Sequence, residues 1–158
     1  MRLWRPHTTG ILIGGLVAIL IAVVVSFILT HFQPTTDLRL GSGAFSAQIA
    51  DTERERTKGL SGVSKMDPDD ALIMVFDRDD TWGIWMKDMK VPIDILWLNS
   101  NKKVIYMVKN ASPELSTDKT FKPNDPARYV IELPAGAIQA NGIKVGEIAI
   151  FALQGDEL

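Results

Sequence analysis

Cysteine is absent from the chain. That excludes disulfides, thiolate metal sites and a cysteine nucleophile, and it is compatible with an exported location. Histidine is nearly absent: His7 and His31 are the only two, and both flank a long apolar run. From Gln33 onward there is none, so a Ser-His-Asp triad, a histidine-based zinc site and a histidine base are excluded there. The chain has no Gly-rich phosphate loop, no internal repeat and no low-complexity tract. Nor does it concentrate positive charge. Setting aside Arg2 and Arg5, the 17 basic residues fall to 15 against 19 acidic ones, a net charge of −4. With no basic patch, nucleic acid is not an expected partner, and no metal or cofactor is predicted.

What the sequence has instead is one uninterrupted apolar run. Ile11 to Thr30, ILIGGLVAILIAVVVSFILT, carries no charge. Twenty helical residues reach about 30 Å, the thickness of a bilayer core. The run is too long for a secretory signal, whose apolar region is about 7–15 residues, and no small-x-small cleavage site follows closely. The reading is an uncleaved signal anchor over residues 11–32, with cleavage further along as the alternative. Arg2 and Arg5 precede it, so the positive-inside rule places residues 1–10 in the cytoplasm and the rest outside. The expected location is the cell membrane, crossed once. Gly10, Gly14, Ala18, Ala22 and Ser26 recur every fourth position, a spacing that lets two membrane helices approach closely and form a homodimer. Against this stands the general abundance of small residues in membrane helices.

Residues 33–42 read as a linker and 43–158 as one exported α+β domain. Ala44 to Ala50 suits a strand. Thr52 with Glu55 forms a capping box opening a short helix that Gly59 or Gly62 ends. Ala71 to Phe76 reads as a buried strand, and Asp77 to Asp80 as a turn. Thr81–Met86, Ile93–Leu98, Val104–Lys109 and Arg128–Leu133 are further strands, with Ser100-Asn101 as a hairpin turn. Ala111 to Pro126 is a long excursion, Pro134 to Asn141 a short helix, and Glu147 to Leu153 a last strand. The expectation is a mainly antiparallel sheet curling into a small barrel with two short helices.

Charged residues inside apolar strands are the candidates for a site. In IDILWL, Asp94 shares a face with Leu96 and Leu98, and both faces are apolar, so a buried carboxylate needs a partner. Arg128 and Glu132 share a face with Val130, and Lys87 is the other nearby cation. An Asp94–Arg128 or Asp94–Lys87 pair is the structural reading. The functional reading makes Asp94 and Glu132 an acid and a base, with Arg128 or Lys87 holding an anionic group. Trp82, Trp85 and Trp97 either line an apolar groove or fill the core.

Several motifs recur together and in order: Glu55-Arg56-x-x-Gly59-Leu60, ALIMVF, Trp85-Met86-Lys87, VPIDILWL, Ala127 to Gly136, and Gly142 to Gly146. From about Ala44 to Phe151 the chain thereby resembles the family of the domain of unknown function numbered one hundred ninety-two. The resemblance implies a compact, mainly β domain, often exported or lipid-anchored, and supplies no catalytic residues. The family commonly has Phe-Trp-Met-Lys-Asn-Thr where this chain has Ile84-Trp85-Met86-Lys87-Asp88-Met89. It often has Arg at the place of Val63 and Gly at the place of Ala71. The candidate polar cluster is therefore Arg56, Trp85, Lys87, Asp94, Arg128 and Glu132. The leading reading is a membrane-anchored, extracytoplasmic binding module. The alternatives are a carboxylate-dependent hydrolase or lyase using Asp94 and Glu132 with Lys87 and Arg128, and an envelope assembly factor dimerising through its membrane helix.

Overall fold

The computed structural model describes residues 17–23, 35–115 and 119–153. The chain divides into two compact units, Met1–Gln33 and Pro34–Leu158. In the first, residues 17–23 are helical. The rest of the anchor expected over 11–32, with Gly10, Gly14 and Ser26, lies outside the described residues. Among the described residues no helix is long and apolar enough to cross a membrane.

The second unit is built on a six-stranded sheet. Its elements are β1 (Thr35–Leu40), β2 (Gly43–Ala50), α1 (Glu53–Lys58), β3 (Asp70–Asp80), β4 (Ile84–Trp85), β5 (Ile93–Leu98), β6 (Val104–Ala111), β7 (Thr120–Phe121), β8 (Ala127–Pro134) and α2 (Ala137–Ala140). The strand order is β1-β2-β3-β8-β5-β6, with β4 and β7 forming a separate pair. All neighbours are antiparallel except β2 and β3. A parallel pair needs a crossover, and α1 lies on it. The helix starts as expected. Thr52 Oγ1 accepts from the Glu55 N–H at 3.2 Å, and the Glu55 carboxylate accepts from the Thr52 N–H at 3.1 Å. Such a cap is worth about 1 kcal/mol. Gly59, at φ 47°, ends the helix in a backbone region that side chains disfavour.

The segment expected as a linker is mostly β1. Leu38 and Leu40 are buried while Asp37 and Arg39 face out, and Gly41, at φ 60°, allows the tight return to β2. The expected turn at Asp77 to Asp80 is instead the far end of β3, which runs on past a bulge between Val75 and Asp80. Only Ile84–Trp85 of the Thr81–Met86 stretch pairs, and it pairs with β7 inside the expected excursion.

The sheet is not closed into a barrel, contrary to the sequence expectation. Its edge strands β1 and β6 do not pair with each other. The stretch expected as a last strand ties them at one end through two isolated bridges, Arg39 to Ile150 and Lys103 to Ile148. Arg39 and Ile150 exchange both backbone hydrogen bonds at 2.9 Å. The staple covers the edges without supplying a continuous ladder.

Two hydrophobic clusters cover the two faces. Leu38, Leu40, Ile73, Leu96, Leu98, Ile131, Leu133 and Ile138 belong to one. Leu60, Leu72, Met74, Phe76, Ile93, Ile95, Trp97 and Val130 belong to the other. Every residue of β5 is buried, because the strand is central and both faces are covered. Each such Leu or Ile contributes about 1.5–3 kcal/mol on burial. Trp97 is fully buried, and its indole N–H is satisfied by the Trp82 carbonyl at 2.8 Å.

Candidate functional site

The second face is also where the domain opens. A cleft of about 440 Å³ lies between α1 with its following turn, through Ser61, and the stretch from Met74 to Met89. One wall is aromatic. Phe76 and Trp82 stack with ring centroids 4.2 Å apart and planes 11° from parallel. Arg56 sits 5.1 Å from the Phe76 centroid and Arg78 5.5 Å from that of Trp82, so cations cap both ends of the stack. Trp85 stands at the mouth, 46% exposed. Such an exposed indole beside a cleft is uncommon in a domain with this much core to bury it.

The flanking cations are already engaged. Arg56 Nη1 donates to the carbonyls of Asp51 and, at 2.7 Å, Val75. This clamps the start of α1 to β3. Arg78 pairs with Asp80 at 3.1 Å. Lys87 is exposed; its ammonium lies 5.9 Å from the Trp85 ring, and its carbonyl accepts from Ser61 Oγ at 2.8 Å. Asp88 takes a left-handed φ of 56°, a region that Asn and Asp tolerate, and its carbonyl accepts from the Gly62 N–H at 2.9 Å. Met89 lines the cleft and adds apolar surface to this wall.

The two buried carboxylates part company. Asp94 stands opposite Leu133 across the β5–β8 ladder and Glu132 opposite Ile95, so they project from opposite faces of the sheet. They are not an acid–base dyad. Nor does Asp94 pair with Arg128 or Lys87. Its two oxygens accept the backbone N–H groups of Asn110 and Ile138, each at 2.8 Å. Ile138 lies in the first turn of α2, whose N-cap, Gly136, has no side chain to offer. Asp94 supplies from a neighbouring strand the acceptor that the cap lacks. Arg128 is held elsewhere, its Nε 2.6 Å from Asp79 Oδ1.

Glu132 faces the cleft side. It is 3% exposed, and no protein group donates to its Oε2. The Leu60 N–H is its one backbone donor. Burial pushes its carboxyl up to about 7, and the Leu60 bond only partly opposes this. Of the six candidates, Arg56 and Trp85 line the cleft, Glu132 lies behind its wall, and Lys87 lies over Trp85. Asp94 and Arg128 belong to the scaffold. Trp82 lines the cleft, whereas Trp97 is core. Phe76 and Arg78 went unnoticed in the sequence, one inside a buried run and the other inside an apparent turn. Continuing the strand past Phe76 would have revealed both.

A family model, DUF192, described as an uncharacterized ACR, matches residues 36–150. A UPF0127 protein of Thermococcus gammatolerans is 28% identical over 104 residues, 64% of this chain and 63% of that protein. A UPF0127 protein of Pyrococcus furiosus is 36% identical over 65 residues, 41% of this chain and 49% of that one. The chain thus spans less than two thirds of the length of these curated relatives. A candidate transcription regulator of Sinorhizobium meliloti superposes with a TM-score of 0.71 at 23% identity, covering 75% of this chain and 95% of that one. A Novosphingobium aromaticivorans protein of unknown function gives 0.68 at 22%, covering 75% and 84%. At these identities the likeness shows the fold alone.

Proposed function

The chain belongs to the DUF192 family, and from that premise and the cleft we propose that the domain is a binding module for a small molecule with a flat, apolar body. The observation that carries this reading is the aromatic wall: a stacked Phe76–Trp82 pair, with Trp85 exposed at the mouth of a cleft large enough for such a ligand. Arg56 and Arg78 cover the outer faces of the Phe76–Trp82 pair, so a flat ring would stack on the exposed indole of Trp85, with Met89 and Ile84 adding apolar surface. The separation of Asp94 and Glu132 speaks against the carboxylate-dependent hydrolase or lyase, which needs both on one substrate. In the same proposal residues 11–32 anchor the chain and the domain lies outside the cytoplasm. The support for that part is the charge-free run and the preceding arginines.

Indole is a suitable probe. Titrated into the full chain, it is expected to shift the indole N–H resonances of Trp82 and Trp85 and to leave that of buried Trp97 in place. Trp85→Ala is expected to weaken indole binding about tenfold. Binding that ignores Trp85→Ala, or shifts no cleft resonance, would overturn the reading.

A further inference from the structure

Behind the Gly59–Leu60 turn, the cleft has a feature that the aromatic wall does not use. A Cβ at Gly59 would lie 3.6 Å from Glu132 Oε2 and 3.1 Å from the Met74 methyl. Gly59, Leu60 and Met74 all line the cleft. The carboxyl oxygen without a protein donor therefore sits immediately behind these residues. That oxygen is itself closed from solvent, and a Cβ at Gly59 would already crowd the Met74 methyl, so the end of the Met74 side chain must swing aside for a ligand to reach it. We infer that Glu132 is the cleft's charge-reading group and that the ligand is an organic ammonium, a primary amine carried on the flat apolar body. This rests on the binding-module reading and adds the ligand's chemical class.

The chemistry follows from the surroundings of Glu132. Leu72 and Ile95 stand opposite it on the neighbouring strands, and both are apolar. A carboxylate among such neighbours, with one backbone donor, lacks both a countercharge and hydrogen bonds. A neutral hydroxyl or amide would supply a bond and leave the charge. An ammonium supplies the charge and up to three donors. A metal ion fits poorly, because no group of three or more ligating side chains occurs among the described residues. Of the charged residues on the packed elements, those that line the cleft are Glu53, Arg56 and Lys58 from α1 and Asp77 and Arg78 from β3. Two acids against three bases leave the mouth near neutral, and Arg56 and Arg78 are already engaged by carbonyls and by Asp80. From β5 the facing residue is Ile95. The entering ammonium therefore meets no cation at Glu132 itself.

Proton balance gives a signature. In the free protein a fraction of Glu132 is protonated near neutral pH, because burial raises it to about 7. An ammonium binds the ionised form, so that fraction sheds its proton to the buffer while the amine keeps its own. Tryptamine and 3-ethylindole carry the same ring and nearly the same arm, and only tryptamine ends in an ammonium. Calorimetry on the full chain, repeated in buffers of different ionisation enthalpy, reads both affinity and proton release.

The expected result is that tryptamine binds about tenfold or more tightly than 3-ethylindole at pH 8. The preference should shrink towards pH 5, and proton release should accompany tryptamine at pH 6 but not 3-ethylindole. Glu132→Gln keeps the shape and removes the charge. It should bind both compounds equally and as tightly as the wild type binds 3-ethylindole. Equal affinity of the two compounds for the wild type overturns the ammonium assignment while leaving the binding cleft standing, as does tryptamine binding without proton release. Failure of both compounds to bind overturns the cleft reading and this inference with it. The wild-type proton count decides the matter even where Glu132→Gln misfolds.

Discussion

Replacing Glu132 with glutamine is expected to make the domain more stable at pH 8, by about 3 kcal/mol, and to remove a pH dependence that the wild type shows. The carboxyl is raised from 4.5 in the unfolded chain to about 7 in the folded one, by burial. Between those values the folded state holds more protons than the unfolded state. Stability from this group is therefore fully present below about pH 4.5 and is lost as pH rises through about 7. A difference of about 2.5 units, at about 1.4 kcal/mol per unit, gives about 3 kcal/mol. Glutamine stays neutral throughout. Urea unfolding of both proteins at pH 5 and pH 8, followed by tryptophan fluorescence, reads the effect. Parallel pH profiles for the two proteins would show that Glu132 does not titrate in this window.

Asp94→Asn should move stability in the opposite direction, by about 3 kcal/mol of loss at pH 7. The carboxylate is fully buried and accepts two backbone N–H groups at 2.8 Å. Asparagine keeps the shape but has one acceptor oxygen. Its amide nitrogen must then face a buried N–H, so one charge-assisted bond is lost and one donor is left unsatisfied. The N–H left without an acceptor is either that of Asn110 or that of Ile138 at the start of α2. The same urea experiment measures this change. A loss under about 0.5 kcal/mol would mean that Asp94 is not the cap described here. The two buried acids thus give variants of opposite sign, because one is fully satisfied by the fold and the other is not.

That contrast was only half legible in the sequence. Alternation along IDILWL and ARYVIELP assigned the faces correctly, since a strand's period fixes them. The partners were not legible. Asp94 is satisfied by backbone groups 16 and 44 positions away, which carry no residue signature. Arg128 lies on the Glu132 face of β8, opposite the face Asp94 shares with Leu133, and Asp79, in what read as a turn, takes it. The capping box at Thr52 was legible because both of its halves are local. Barrel closure was not. Strand count and alternation are the same for an open and a closed sheet, and the outcome rested on whether Glu147 to Leu153 formed a ladder or two bridges. The cleft itself needed tertiary packing. Its wall joins α1 to a stretch about twenty residues further along the chain, and only Trp82, Trp85 and Arg56 drew attention beforehand.

Glu132 is a buried carboxyl with no partner for one oxygen, set behind the cleft. Carbon-detected NMR of the full chain, labelled with glutamate carbonyl carbon and titrated from pH 4 to 9, tests it most directly. The expected result is one glutamate resonance, assigned by its loss in Glu132→Gln, with a midpoint near 7. A midpoint near the ordinary 4.5 would mean that water or a protein group satisfies that oxygen, and would contradict the account.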